Sequence, residues 1–298
     1  MKKTIALFLL SAFSLLSSAQ TNYEKFNTLF QKKSDSVKVR LLLARWEKSN
    51  PNDPEFYTCA YNFYFSASKE EILIIGKDEP NNESYQLTDS AGKVAGFLSS
   101  TLQYNSNSQK KAFEYINAGI ERFPNRLDMR FGKTYALGLI ADYKNFTEEI
   151  IRTLEYSKIV NNNWLWTENK KVEDAENFLT DAVHSYMRQL YDTEDDSLLE
   201  NINRIGETTI KYYPNHVEIL STTAVANMLK KNYDKAIEYL KMAEKINPKD
   251  FIVLNNIARG YSLKGDKLNA IKYYKLTEKH GDNQAKVEAK KEIEQLNK

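Results

Sequence analysis

Residues 217–250 read VEILSTTAVANMLKKNYDKAIEYLKMAEKINPKD, and residues 251–284, which follow directly, read FIVLNNIARGYSLKGDKLNAIKYYKLTEKHGDNQ. Set one above the other, the two stretches agree where small side chains stand. Their eighth residues are Ala224 and Ala258, their twentieth Ala236 and Ala270, and their twenty-seventh Ala243 and Thr277. Pro214 and Pro248 mark the same period of 34. Each stretch reads as two helices, in the first unit Val217 to Lys230 and Tyr233 to Ile246. Asn232 and Asp266 stand at the turn, where a side-chain oxygen can cap the second helix. Gly265 supplies a left-handed residue to end the helix before it.

The spacing has a mechanical cause. Antiparallel helices joined by a short turn lie closest near that turn, so the eighth and twentieth positions must be small. The twenty-seventh faces the next unit and must be small too. Pro248 stops the second helix because it has no amide to donate. Leu220, Tyr233, Tyr239 and Leu240 fill the space between helices. One such hairpin cannot bury its apolar side alone, so units must stack.

On these residues the stretch 217–284 resembles two tetratricopeptide repeats. Leu220 and Leu254 stand where the family usually has Trp, alanine replaces the usual eighth-position Gly, and Lys267 replaces a usual aromatic. The resemblance implies an all-α solenoid of helical hairpins, a superhelix.

Fainter units precede it. Pro124 ends a second helix from Lys110 to Phe123, with Ala112 and Gly119 at its small positions. The next unit starts at Leu127 and carries Thr134, Tyr143, Phe146 and Thr153. Pro54 to Phe65 is the first helix of an earlier unit, with Tyr57, Tyr61 and Tyr64 on one face beside Cys59. Residues 22–49 form one or two leading helices. Glu176 to Tyr191 and Leu198 to Tyr213 form a degenerate pair, and residues 285–297 a polar terminal helix. Pro124 and Pro214 are 90 apart, which is not a multiple of 34, so an irregular insertion lies at Asn161–Lys171. The array thus divides into residues 22–160, degenerate, and 172–298, with 217–250 and 251–284 its best units.

Residues 66–108 break the pattern. A short apolar run, Ile72 to Ile75, precedes a turn-like stretch, and Tyr85–Asp89, Ser90–Gly92 and Lys93–Leu98 read as a small β-hairpin around residues 85–98. The alternative is an irregular loop with a helix from Ala91 to Leu102.

The N-terminus reads as an address. Lys2 and Lys3 precede an apolar run from Thr4 to Leu16, and Ser17–Ala19 offers the small residues a signal peptidase reads. Residues 1–19 are thus expected to be a signal peptide and 20–298 the mature domain, exported to the periplasm or beyond. The run is short for a membrane span, and no cysteine follows it to carry a lipid.

Composition excludes several functions. Lys plus Arg is 42 and Asp plus Glu 40, a balance that gives no basic excess for nucleic acid. One cysteine and the scattered His184, His216 and His280 leave little for a metal site. No phosphate loop, nucleophile elbow or zinc helix occurs. Cys59, in an aromatic helix, reads as a buried structural thiol. We therefore expect no enzyme, no cofactor and no metal, and no stable membrane insertion after cleavage.

What remains is the face of the first helices. The resemblance places their second, fifth, ninth and twelfth residues in a concave groove: Glu218, Ser221, Val225 and Met228; Ile252, Asn255, Arg259 and Ser262; and, in the fainter unit, Asp128, Phe131, Tyr135 and Gly138. Asn255 can bond a peptide backbone and Arg259 a carboxylate. Clamp-type repeats of the family spread Lys, Asn and Arg over three units, a set this chain only partly carries. The expected function is a protein-interaction scaffold binding a peptide or protein of the cell envelope. The alternative is a small-ligand receptor or enzyme with its site at the 66–108 insertion and the 161–171 loop, where Trp164 and Trp166 either grip a ligand or plug a junction.

Overall fold

The computed structural model describes residues 20–31, 36–80 and 83–298. The expected signal peptide, residues 1–19, lies outside them. No described helix is long and apolar enough to cross a membrane.

Two leading helices, α1 (Asn22–Gln31) and α2 (Ser36–Ser49), pack on α3 (Pro54–Ser68). Asp53 caps α3 by accepting from Glu55 N, and Pro54 presets its first turn. Helix α4 (Ser106–Arg122) returns along α3 after an insertion. Three further hairpins follow: α5 (Leu127–Leu139) with α6 (Tyr143–Ile159), α7 (Ala175–Tyr191) with α8 (Leu199–Tyr212), and α9 (Val217–Leu229) with α10 (Tyr233–Ile246). Then come α11 (Phe251–Lys264) with α12 (Lys267–His280), and α13 (Asn283–Leu296) closes the array. The fold is an all-α, tetratricopeptide-like solenoid with a small β insertion.

The close approaches fall where small residues stand. Ala224, Ala236, Ala243, Ala258, Ala270 and Thr277 are completely buried. A Cβ on Gly119 would lie 2.8 Å from Tyr57 Cβ and 3.0 Å from Met129 Sδ, so α3, α4 and α5 meet on that glycine.

The hairpin turns share one backbone closure. In α5/α6, α9/α10 and α11/α12 the capping residue's N–H bonds a carbonyl five residues back: Asp142 to Leu137 (2.9 Å), Asn232 to Asn227 (2.8 Å) and Asp266 to Tyr261 (2.9 Å). The residue before each cap is left-handed: Ala141 (φ 55), Lys231 (φ 64) and Gly265 (φ 87). Asp266 caps as expected, accepting from Asn269 N at 3.1 Å. Asn232 does not: its side chain makes no cap bond, and that turn keeps the backbone closure without it.

The insertion is larger than a hairpin. Strands β2 (Ser84–Thr88) and β3 (Val94–Tyr104) pair through a turn in which Asp89 Oδ1 accepts from Ala91 N and Lys93 N, both at 2.9 Å, and Gly92 takes φ 78. Strand β1 (Lys69–Gly76) pairs antiparallel along the other side of β3, giving the order β1-β3-β2. The apolar run Ile72–Ile75 is thus a third strand, and the alternative helix at 91–102 does not form.

Three cores run along the array. The first joins α1–α4 around Trp46, Phe56 and Ile116; the second spans Leu127 to Ala226; the third runs from Leu220 to Ala289.

Candidate functional site

The first helices stand side by side. Tyr61 of α3 donates to Gly132 O of α5 at 2.6 Å. Phe131 of α5 stacks on Phe178 of α7, with ring centroids 5.8 Å apart. His184 of α7 faces His216, just before α9, at 6.2 Å, and α9 touches α11. The expected groove residues therefore sit on one continuous layer, with different degrees of access.

On α11, Ile252 and Arg259 are exposed and Asn255 and Ser262 half-buried. Among the described residues no hydrogen bond or ion pair holds the polar ends of Asn255 or Arg259. On α9, Glu218 is exposed and Ser221 and Val225 half-buried. Met228 corrects the expectation: it is only 6% exposed and belongs to the third core, because α11 crosses it closely at Gly260. Gly138 is likewise buried, against Phe146 and Gln189. Asp128 is taken by Arg126, at 2.8 and 2.7 Å, and by Thr167 Oγ1 at 3.2 Å.

Phe131 and Tyr135 are one turn apart on α5, and Tyr135 is 58% exposed. Around Phe131 the structure assembles a patch that joins Trp166, which the sequence offered separately, to Phe178 and Tyr186, which it did not offer. Trp166 lies edge-on to Phe131 at 6.0 Å and to Phe178 at 5.4 Å, and Tyr186 lies edge-on to Phe131 at 5.9 Å. Phe178 remains 43% exposed. The two tryptophans of the 161–171 loop thus divide. Trp164 is fully buried against Tyr156 and beneath the Arg130 guanidinium, so it plugs the junction, while Trp166 reaches the helix face. Phe178 opens a degenerate unit that has no clear period, so no register pointed to it.

The loop is held by a buried charge. Arg126 donates to Glu55 of α3 at 2.8 Å, and Glu168 N donates to the same carboxylate oxygen at 2.7 Å. Leu165 N bonds Asn125 O at 2.9 Å and Val172 N bonds Trp164 O at 3.0 Å. Burial opposes the charge on Arg126, but its bonds to Asp128 and Glu55 outweigh that and raise its pKa. Between α7 and α9, His216 Nε2 lies 3.3 Å from Asp181 and Nδ1 lies 3.1 Å from Glu218. Burial and the His216 ring lower the pKa of His184.

The structure does not bring the two insertions together. The sheet leaves the C-terminal end of α3 at Ser68, and the loop contacts its N-terminal end at Glu55, about 20 Å away at helical rise. No group of His, Cys, Asp or Glu among the described residues is arranged to hold a metal. Cys59 is buried, which pushes its thiol pKa far up.

No protein-family model matches the chain, and no curated protein matches it. Among solved structures it is similar to YrrB, a TPR protein with an unusual peptide-binding site: 13% identity, 84% of this chain and 97% of that one, TM-score 0.41. It is similar to PilW, a type IV pilus biogenesis factor, at 9% identity over 89% of this chain and 96% of that one, TM-score 0.38. It is similar to Pseudomonas aeruginosa pilF at 16% identity over 59% and 71%, TM-score 0.33. Similarity at this level says nothing of what the chain binds.

Proposed function

We propose that this chain is an exported, non-enzymatic interaction module that holds a peptide or a segment of a partner protein along the face of α5, α7, α9 and α11. One observation carries the reading: Phe178 stands exposed against Phe131 and Trp166, with exposed Tyr135 one turn further along α5, on the same helix layer as Asn255 and Arg259. Exposed aromatics backed by a rigid aromatic floor are the usual anchors of protein recognition, and Asn and Arg beside them supply backbone and carboxylate bonds. The envelope setting rests on the layout of residues 1–19.

The test is a crosslinking pull-down from envelope extract with the full chain. Asn255→Ala/Arg259→Glu and Tyr135→Ala/Phe178→Ala are compared with the parent after circular dichroism confirms equal helicity. Capture of one partner by the parent, weakened by either pair, supports the reading. Capture unchanged by both pairs, or no partner at all, overturns it.

A further inference from the structure

The three-stranded sheet has two edges of different character. Strand β2 is five residues long, and its register shifts at Leu87/Thr88, so this edge is short and irregular. Such irregularity is how sheets guard an edge. Strand β1 has neither defence. It is eight residues long with an unbroken register to β3, and its centre, Ile72-Leu73-Ile74-Ile75, carries no charge, proline or bulge. No strand among the described residues pairs with its outer side. Ile75 is 74% exposed, and the register sets it in a row with Leu98 and Tyr85 across all three strands.

The backbone groups on that edge can be assigned. Asn105 N donates to Ser68 O at 2.7 Å, and these two residues extend the β1–β3 register by one pair. Bonded and non-bonded pairs alternate in an antiparallel ladder. The even-numbered residues of β1 therefore bond β3, and Glu71, Leu73 and Ile75 turn their N–H and C=O groups outward.

We propose that the outer edge of β1 pairs antiparallel with β1 of a second copy of this chain, joining two sheets into one of six strands. The sequence of the edge selects the partner and the register. A two-fold axis normal to the sheet keeps each face on its own side, so opposed residues share parity. With Ile74 opposite Ile74, Leu73 faces Ile75 twice and Glu71 faces Lys77 twice, where the chain bends away at Lys77–Asp78. Shifting by one permitted step towards the N-terminus sets Lys69 against Lys77. A second such step sets Glu71 against Leu73. The apolar centre and the Glu71–Lys77 pair are thus matched in the register centred on Ile74, while Glu70 and Asp78, opposed in the same register, lie where the chain has bent away. There Ile74 meets its own copy as a non-hydrogen-bonded pair, the close kind, with Cα atoms about 4.5 Å apart. This interface is separate from the helix face proposed above, and either stands without the other.

The test is sedimentation of the full chain over a range of concentration, with three variants. The parent is expected to show a dimer. Ile74→Lys sets two like charges face to face and is expected to give the mass of one chain. Thr88→Lys, on the far edge, is expected to leave the dimer intact. Ile74→Cys is expected to form a reducible crosslinked dimer under mild oxidation, while buried Cys59 does not react. This last variant decides the matter even if Ile74→Lys fails to fold. A parent that stays monomeric throughout, an Ile74→Lys variant that folds and remains dimeric, or an Ile74→Cys variant that does not crosslink overturns the proposal.

Discussion

Arg126, on the approach to α5, is 1% exposed and donates at 2.8 Å to Glu55, which stands 71 residues earlier in the first turn of α3. The pair ties two neighbouring units together, and the same Glu55 oxygen receives the loop amide of Glu168. Removing one partner of a buried ion pair leaves the other uncompensated, at a cost of about 3–5 kcal/mol. Asp128 still holds Arg126 through two bonds, so Glu55→Ala is expected near the lower end of that range. Urea denaturation measures it. The same variant is expected to speed hydrogen exchange at Leu165 and Val172, whose amides fasten the loop. Unchanged exchange there would mean that the loop is held by Trp164 packing alone.

The turns before α6, α10 and α12 share a left-handed residue, yet only one of the three is glycine. A side chain in that conformation costs roughly 1–2 kcal/mol, which glycine avoids at some expense in unfolded-state entropy. Lys231→Gly and Ala141→Gly are each expected to stabilise the protein by about 0.5–1 kcal/mol. Gly265→Ala is expected to destabilise it by a similar amount. Thermal denaturation of the three variants checks the signs, and a loss of stability in Lys231→Gly would refute the strain argument.

The helices were legible because their cause is local. A period of 34 with alanine at fixed places follows from helices in contact, and Ala224, Ala236 and Ala243 are all buried as that logic requires. The sheet was only half legible. The Asp89–Gly92 turn announces its hairpin, but β1 joins β3 across 21 to 35 residues and only its Ile72 and Gly76 are even half-buried, so no alternation marks it. The aromatic patch was legible only in part: Phe131 and Tyr135 stood out as groove residues and Trp166 as a separate candidate, but nothing in the sequence joined them. Trp166 and Phe178 reach them through an irregular loop and a unit without period, which only tertiary packing reveals. Met228 shows the opposite failure: counting positions along a helix says which way a side chain points, not whether the next helix covers it.

Helices α8 and α9 meet more tightly than any alanine would allow. A Cβ on Gly206 would lie 2.0 Å from Thr223 Oγ1 and 3.0 Å from its Cβ. Gly206→Ala is therefore expected to destabilise by overpacking, about 1–3 kcal/mol. Thr223 uses its hydroxyl only on Ile219 O of its own helix, at 2.7 Å. Adding Thr223→Ala is expected to recover part of the loss, and a double variant no better than the single would place the strain elsewhere.

His184 gives the array a pH dependence whose sign follows from its surroundings. Burial, then the neighbouring His216 ring, lowers its pKa below the ordinary 6.5, against the smaller pull of Glu218 and Asp181. The unfolded chain thus takes up this proton at a higher pH than the folded one. The contribution of His184 to stability is complete above about pH 6.5 and declines as pH falls through that value. The decline ends only once pH has passed the lowered folded pKa. Replacing the imidazole by an amide, His184→Gln, removes the titration. Urea midpoints measured between about pH 5 and 8 are expected to fall toward acid in the parent and to fall less steeply in the variant. Equal slopes in the two proteins would mean that the folded environment leaves this proton where the unfolded chain holds it.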